Sequence, residues 1–338
     1  MHSEPGWLFR VASANRWGGG HVSRCRSLAV VLRQRRSVTF VLDTDSGGWL
    51  DLLTDDGNAV WQGDDLPRGP WCGSLIDGYG FSEDDARKLR EVAPPLVAVD
   101  DLMSPPSAAD LVVNGGVEAV DYGKPALLGP RYALIDQRFR DLAAMKIPDQ
   151  VAHIVVTFGR FDALDATGLA LAALSILASR NAFRPRLSVV LGAASPNIEE
   201  VRDAVKNWPG VARLLVEHKD MPGLLQSADL VLGAGGVSLF ERMACGAPSV
   251  TICLAENQAA NIAVCRRHGA TKDAGPIARI SAEALADDVF GLAISAAQRL
   301  RQSRCGQTCV DGHGPERVAE AMTRLAGHGA AMPSAANP

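Results

Sequence analysis

Residues 228–248 read ADLVLGAGGVSLFERMACGAP, an apolar run, a glycine-rich turn and a segment with helical spacing. The run Leu230–Leu232 predicts a buried strand, and the segment 237–245 predicts a helix. Gly246 and Pro248 follow as helix stop signals. A strand that passes through glycines directly into a helix is typical of α/β proteins with parallel sheets, so this stretch predicts that fold class.

The glycine turn and the start of this helix form a candidate anion site. Backbone N–H groups at a helix amino terminus lack partners within the helix, and glycine lets an anion approach them closely. We therefore expect this turn to hold a phosphate or diphosphate, with a serine hydroxyl as a further donor. The predicted contact residues are Gly235, Gly236, Val237 and Ser238.

Three polar residues follow the next apolar strand, which we place at 249–254. Glu256, Asn257 and Gln258 thus stand at the carboxyl end of a strand, where open α/β sheets bind ligands. We predict that Asn257 and Gln258 contact sugar or phosphate groups. Glu256 is predicted to do the same or to cap the helix that begins near Ala259.

A second glycine motif lies near the amino terminus, where residues 17–25 read WGGGHVSRC. It follows an apolar strand at 7–12 and precedes a helical pattern at 23–33. Gly19 and Gly20 can bring backbone N–H groups to an anion, and His21 would stand where a phosphorylated substrate reacts. The alternative is a tight turn with a surface histidine. The motif is neither the dinucleotide fingerprint nor a P-loop.

Strands and helices alternate over the rest of the chain, which predicts two Rossmann-like domains with parallel sheets. A polar, irregular stretch at 138–150 separates two such series. We assign residues 1–142 to the first domain, 150–326 to the second and 327–338 to a flexible tail. A helix at 316–325 either closes the second domain or packs on the first, and the sequence leaves this open.

Composition excludes several classes of function. The 338 residues carry a net charge of −4 and only 5 % aromatic residues, which disfavours a nucleic-acid-binding surface. Seven scattered cysteines without a CxxC pair fit reduced thiols. We find no signal peptide and no run of 18 apolar residues, so we expect a cytoplasmic protein with no membrane partner, a monomer or weak homodimer.

The order of motifs resembles a known enzyme family. GGGHVSRC, VDD, ADLVVN, LLGPRYALI, VTFG, ADLVLGAGGVSLFERMACGAPSV and LAENQ follow one another as in the PseG-like UDP-sugar hydrolases of pseudaminic acid synthesis, which are relatives of the MurG-type glycosyltransferases. The resemblance covers roughly residues 8–275. It implies the GT-B architecture, in which two Rossmann-like domains face each other across a cleft, and a UDP-sugar substrate without a cofactor.

His21 matches the histidine of the family's GxGH motif, which is the proposed general base. Hydrolysis at an anomeric carbon needs a water nucleophile, and a diphosphate leaving group needs little protonation, so one base can suffice. An imidazole with an ordinary pKa near 6.5 suits that role. The alternatives are that His21 only hydrogen-bonds the diphosphate or lines the turn.

The resemblance also implies that Glu241 accepts hydrogen bonds from the ribose hydroxyls, which a carboxylate can do for both donors of a diol. The alternative is a favourable charge in the first turn of a helix. By analogy with MurG-type enzymes, the uracil would lie against residues 218–224.

Asp77 and Tyr79 form a DGY turn at a strand end and resemble the family's Asp-x-Tyr. We predict that they orient sugar substituents or His21, the alternative being ordinary turn chemistry. Arg24 lies in the family's Met-Arg-Cys position and is predicted to contact substrate. Asp100 and Asp101 are only two adjacent carboxylates, so we predict no metal site and expect them to cap a helix or to form a hydrogen bond into the cleft.

The chain departs from the family at the sequence VTFGRFD, where the family has VTFGGSD. Gly159 is retained, but Arg160 replaces the second glycine. Arg160 can form a bidentate contact with the diphosphate or fill space that a larger sugar substituent needs. This change leaves the identity of the sugar open.

The resemblance therefore implies a hydrolase that releases UDP from a UDP-linked 2,4-diacetamido-2,4,6-trideoxy sugar, for nonulosonic acid, flagellin or other surface glycan synthesis. The runner-up is a MurG-like glycosyltransferase that uses a UDP-sugar donor. A UDP-sugar epimerase and an inactive nucleotide-sugar-binding protein are the weaker alternatives.

Overall fold

The computed structural model describes residues 4–12, 19–42 and 48–329, without the side chains of the last two residues. The chain divides into two compact units. The first unit comprises residues 1–137 and 313–338, and the second comprises residues 138–312. Both units are α/β, as the glycine motifs predict.

The first unit contains a seven-stranded sheet in the order β3-β2-β1-β4-β5-β6-β7, and every neighbouring pair is parallel. Its strands are β1 Gly6–Val11, β2 Val38–Leu42, β3 Ala59–Gln62, β4 Trp71–Asp77, β5 Leu96–Val99, β6 Leu111–Asn114 and β7 Ala126–Leu128. Its described helices are α1 Gly20–Leu32, α2 Trp49–Asp55, α3 Glu83–Val92 and α11 Gly314–Gly329.

The second unit contains a six-stranded parallel sheet in the order β10-β9-β8-β11-β12-β13. Its strands are β8 His153–Thr157, β9 Arg186–Leu191, β10 Ala212–Val216, β11 Leu230–Ala234, β12 Ser249–Cys253 and β13 Lys272–Pro276. Its helices are α4 Ala166–Asn181, α5 Ile198–Lys206, α6 Met221–Gln226, α7 Val237–Cys245, α8 Ala259–Arg267, α9 Ala282–Ala293 and α10 Ala296–Cys309.

The central strands are buried on both faces, which explains why they are continuous apolar runs rather than alternating ones. Every residue of β1, β8 and β11 is buried. Helices cover both faces of such a sheet, so the side chains of its central strands pack in a core on either face. The predicted two-domain α/β fold with parallel sheets is therefore confirmed.

Helix α11 belongs to the first unit, although we assigned it to a second domain ending at residue 326. Val318, Ala319 and Met322 are buried in the same core as Trp7 of β1 and Leu28 of α1. An amphipathic pattern predicts that a helix has a buried face but carries no information about which core receives it. The second unit consequently ends at Gly312.

Both sheets reverse their strand order at one place, between β1 and β4 in the first and between β8 and β11 in the second. At such a switch point the connections leave in opposite directions and open a crevice at the carboxyl ends of the strands. The two glycine motifs follow β1 and β11. Local topology thus brings each motif to the usual ligand-binding position of its own sheet.

None of the described helices has the length and apolar character needed to cross a membrane.

Candidate functional site

His21 and Asp77 meet at the switch point of the first sheet. His21 lies in the first turn of α1, after β1, and Asp77 is the last residue of β4. Both side chains are buried, and Nδ1 of His21 lies 2.8 Å from Oδ1 of Asp77. An ionised carboxylate only accepts hydrogen bonds, so Nδ1 carries a proton, and the tautomer that this favours in a neutral imidazole has its lone pair on Nε2. No residue in the described part of the chain hydrogen-bonds to Nε2.

Arg24 keeps Asp77 ionised. It stands one turn after His21 on the same face of α1, and its Nε donates to Oδ2 of Asp77 at 2.6 Å. Burial by itself raises the pKa of Asp77, but the charge of Arg24 and the hydrogen bonds from Arg24 and His21 outweigh it and hold that pKa well below its usual range. Nη2 of Arg24 lies 3.1 Å from Nδ1 of His21, because both nitrogens donate to Oδ1 of Asp77.

A second carboxylate, Asp101, extends this network. Its Oδ2 accepts from Nη1 of Arg24 at 3.0 Å, and its Oδ1 accepts from the Tyr79 hydroxyl at 2.7 Å. The Tyr79 ring also packs edge-on against the His21 imidazole, with 4.6 Å between ring centroids. The imidazole is therefore fixed from two sides, by a carboxylate and by an aromatic ring. Asp77 and Tyr79 thus both contact His21, while their orienting role in a reaction and the direct contact of Arg24 with substrate stay predictions.

The turn that carries Tyr79 requires glycine at position 78. Gly78 has φ of +148°, and a Cβ there would collide with Ala12 at the end of β1. A hydrogen bond of 2.9 Å from the Ala12 N–H to the Asp77 carbonyl stabilises this close contact between the ends of β1 and β4. The DGY sequence thus serves as a tight turn and also delivers two functional side chains.

A cavity of about 190 Å³ opens at the carboxyl ends of β4 and β5. Its wall combines the polar groups of Arg24, Tyr79 and Asp101 with the apolar surfaces of Phe81 and Pro106. Such a mixed lining suits a ligand that carries both hydroxyl or amide groups and apolar substituents. The cavity lies entirely within the first unit.

Asp100 has a structural role, in contrast to its neighbour. Its Oδ1 accepts from the N–H groups of Leu102 and Ser104, and its Oδ2 accepts from the Tyr122 hydroxyl. These bonds shape the loop at the cavity rim. Within the described ranges, no group of three or more His, Cys, Asp or Glu side chains is arranged to hold a metal ion.

The amino terminus of α1 contains two of the predicted anion-binding residues. No side chain caps it, and its first turn has no acidic residue. Gly19 packs against Trp49, whose ring a Cβ would strike, whereas a Cβ on Gly20 would meet nothing within 4 Å. Packing therefore explains Gly19, while Gly20 is open to a ligand. Trp17 and Gly18 lie outside the described residues.

In the second unit, helix α7 presents a similar terminus. It has no side-chain cap and no acidic residue in its first turn, which begins with Val237 and Ser238. A Cβ on Gly236 would have only the Gln258 amide near it, at 3.7 Å. The backbone of Gly236, with φ of −77°, also suits other residues. Neither packing nor conformation demands glycine here, which favours a role in letting an anion approach the backbone.

Gly235 differs from Gly236. A Cβ at Gly235 would collide with Ile262 of α8, so close packing requires glycine. Its N–H donates to Oε1 of Gln258 at 3.1 Å, and the same oxygen accepts from the Leu254 N–H at 3.1 Å. Asn261 donates to the Gly235 carbonyl. Gln258 thus ties the loop after β12 to the glycine turn, and the Gly235 N–H that we expected to face a phosphate is engaged inside the protein.

The remaining predicted residues of this site lie close in sequence to α7 and β12. Ser238 and Glu241 are spaced three apart on α7 and are both half-buried, so they share a face of the helix. Glu256 and Asn257 lie in a short 3₁₀ turn directly after β12, where Glu256 is exposed and Asn257 is half-buried. Their contacts with a ligand stay predictions.

Arg160 forms an ion pair that the sequence did not indicate. Its Nη2 lies 2.5 Å from Oε2 of Glu217, a residue just beyond β10, and both side chains are exposed. Burial raises the pKa of Glu217, but the Ala193 N–H and Arg160 outweigh it and lower that pKa. Gly159, which precedes Arg160, has φ of +103°, a backbone conformation that favours glycine. The negative charge of Glu217 therefore offsets the positive charge of Arg160, which we expected to contact a diphosphate.

Two further residues escaped the sequence analysis. For Asp101 the sequence favours helix capping or a hydrogen bond into the cleft over a metal site, but it gives no sign of the pairing with Arg24, which spans 77 positions. Arg242 in α7 is fully buried beneath the glycine turn, and the only sequence signal is a cation within the apolar stretch LFERMAC.

No protein-family model matches the chain. The spore coat polysaccharide biosynthesis protein SpsG of Bacillus subtilis strain 168 is 26 % identical over 329 residues, which cover 91 % of this chain and 95 % of that protein. The uncharacterized protein MJ1062 of Methanocaldococcus jannaschii is 25 % identical, and the match covers 70 % of this chain and 53 % of that protein.

Solved structures resemble the whole chain. MurG of Acinetobacter baumannii gives a TM-score of 0.69 at 15 % identity, covering 95 % of this chain and 100 % of MurG. The glycotransferase of kitacinnamycin gives a TM-score of 0.64 at 16 % identity, and the match covers 95 % of this chain and 99 % of that protein. LpCGTa in complex with UDP gives a TM-score of 0.63 at 14 % identity, and the match covers 95 % of this chain and 100 % of LpCGTa. Together with the two parallel sheets, these similarities show that the chain has the GT-B fold of glycosyltransferases.

Proposed function

We propose that this protein hydrolyses a UDP-linked 2,4-diacetamido-2,4,6-trideoxy sugar to UDP and the free sugar. The observation that carries the proposal is the buried His21–Asp77 pair at the switch point of the first sheet, in which Nδ1 faces Asp77 and Nε2 has no partner among the described residues. A fixed imidazole whose second nitrogen has no partner in the protein can take a proton from water as a general base.

In the proposed reaction, Nε2 of His21 removes a proton from water as the water oxygen bonds to the anomeric carbon. The bond between that carbon and the diphosphate oxygen breaks, and UDP leaves with the electron pair. Asp77 stabilises the imidazolium that forms, since it accepts the Nδ1 proton in a hydrogen bond and stays ionised beside Arg24. The imidazolium then returns its proton to solvent.

The second unit is proposed to bind the nucleotide. The diphosphate would accept hydrogen bonds at the uncapped terminus of α7, from Val237 and Ser238, with Gly236 giving access. Glu241, three residues after Ser238, would accept the ribose hydroxyls, and residues 218–224 would lie against the uracil. Asn257, Gln258 and Glu256 are proposed to contact the sugar-phosphate part.

The cavity of about 190 Å³ in the first unit supports a substituted deoxy sugar. Phe81 and Pro106 provide apolar surface for methyl groups, and Tyr79 and Asp101 provide polar groups for amides and hydroxyls. The name of the Bacillus relative, a polysaccharide biosynthesis protein, fits a place in surface glycan or nonulosonic acid synthesis.

A base that activates water can equally activate an acceptor hydroxyl, and the solved structures with this fold include glycosyltransferases. A glycosyltransferase is therefore the second candidate. It differs in that water must be kept from the anomeric carbon until the acceptor binds.

The deciding experiment incubates the protein with a panel of UDP-sugars in ¹⁸O-labelled water without an acceptor, and mass spectrometry follows the products. We expect UDP free of ¹⁸O and free sugar, because the carbon–oxygen bond breaks. Label in UDP would show attack at phosphorus and contradict the proposed role of His21. Release of UDP only when an acceptor is added would establish the glycosyltransferase, and UDP-sugar isomers would establish an epimerase.

A further inference from the structure

Arg242 lies beneath the glycine turn of the second unit. Its side chain is fully buried, and Nη2 donates to the Ala234 carbonyl at 2.8 Å and to Oγ1 of Thr251 at 3.0 Å. Nη1 donates to the Ser238 hydroxyl at 3.3 Å. A Cβ on Gly233 would lie 2.5 Å from Nη1, so glycine at 233 makes room for the guanidinium. The guanidinium therefore braces the segment from the end of β11 to the first turn of α7.

The hydrogen bonds of this guanidinium all end on uncharged oxygens, and its Nε has no partner within the described residues. Burial lowers the pKa of Arg242 to about 10. The negative charge of the neighbouring Glu241 acts in the opposite direction but is the weaker effect. The group stays charged at neutral pH. A buried cation without a direct ion pair is costly to the folded state, and an anion bound nearby would offset that cost in addition to Glu241.

We propose that Arg242 is a positioning residue that shapes the glycine turn and places a buried positive charge behind the diphosphate-binding terminus of α7. This inference rests on the proposed function, since it assigns the compensating anion to the diphosphate of UDP. A charge in a low-dielectric interior acts over several ångströms and adds to the helix dipole. The resulting attraction depends on ligand charge, not on the base or the ribose.

The test is a comparison of binding by the full chain of UDP and of uridine, which lacks both phosphates. Arg242→Met removes the charge and keeps an apolar side chain of similar length. We expect its affinity for UDP to fall about 10- to 100-fold, while its affinity for uridine changes less than about threefold. Arg242→Lys keeps the charge and should retain most of the preference for UDP over uridine.

Arg266→Met serves as the matched control because Arg266 is an exposed cation of the same unit. It should leave both affinities unchanged. Equal losses for UDP and uridine in Arg242→Met would show a purely structural role and overturn the inference. Arg242→Gln provides the same comparison if the methionine variant does not fold. Failure of both neutral variants to fold while Arg242→Lys folds would assign the charge to folding and also overturn it.

The same titrations separate this inference from the proposed function. An unmodified protein that binds neither UDP nor UDP-sugars contradicts the proposed function itself. An unmodified protein that binds UDP, with a UDP-to-uridine preference that Arg242→Met leaves intact, contradicts only the role of Arg242.

Discussion

The two switch points of this molecule have the same topology but opposite chemistry. In the first unit, titratable side chains converge at the carboxyl ends of β1, β4 and β5. In the second, glycines, an uncapped helix terminus and one buried guanidinium meet after β11. The first arrangement is suited to moving a proton, and the second is suited to holding an anion. Variants in the two regions should therefore separate turnover from nucleotide binding.

The largest effect is expected for Asp77→Asn. An asparagine amide can donate to Nδ1, which favours the tautomer whose Nε2 carries the proton, so the base is lost although the shape is kept. Turnover should fall by about 10³- to 10⁴-fold, and UDP affinity should change little. Steady-state kinetics and calorimetric titration check the two quantities. A turnover within tenfold of the unmodified protein would show that His21 does not depend on Asp77.

A comparison of Gly235 with Gly236 sharpens the account of the second switch point. Gly236→Ala has room for its methyl group and should stay folded, yet its affinity for UDP should fall about tenfold because the methyl obstructs the backbone.

Gly235→Ala should instead lower the free energy of unfolding by about 1–3 kcal/mol, because its methyl group collides with Ile262. Denaturant titration and UDP binding, measured on both variants, distinguish the two outcomes. The account would be contradicted if Gly236→Ala bound UDP normally.

Acid should destabilise the first unit through Asp77. Its pKa is held below the ordinary value near 3.8, so the ionised group stabilises the folded state at neutral pH. That contribution is complete above the ordinary pKa and is lost as the pH falls toward the lower folded-state pKa. Thermal unfolding between pH 6 and pH 2 should show a steeper loss in the unmodified protein than in Asp77→Asn. Parallel curves would contradict the assignment.

The smallest effect is expected for Arg160→Gly, which restores the residue that the resembled family has. The pair with Glu217 is exposed, so its loss should change stability by less than about 1 kcal/mol. Because Glu217 offsets the charge of Arg160, UDP affinity should fall by threefold or less. A tenfold loss would show that Arg160 contacts the diphosphate directly. Glu217→Gln is the matched variant, since it releases Arg160 without removing it.

Local patterns predicted much of this fold. Strands such as β8 and β11 are buried on both faces and are therefore visible as apolar runs, and the glycine turns mark where helices follow. Elements with mixed exposure were missed, among them β3, which is exposed at three of its four residues. Pairings between distant segments, such as Arg24 with Asp101, cannot be seen in a single sequence, because each residue type is also common as an exposed charge on a protein surface.

The central claim is tested most directly by His21→Asn, which keeps much of the shape and one hydrogen bond but removes the base. Turnover of the UDP-sugar should fall by about 10²- to 10⁴-fold, while UDP affinity, measured on the same preparation, should stay within about threefold. Near-normal turnover, or a defect confined to substrate binding, would contradict the account and remove His21 from the mechanism.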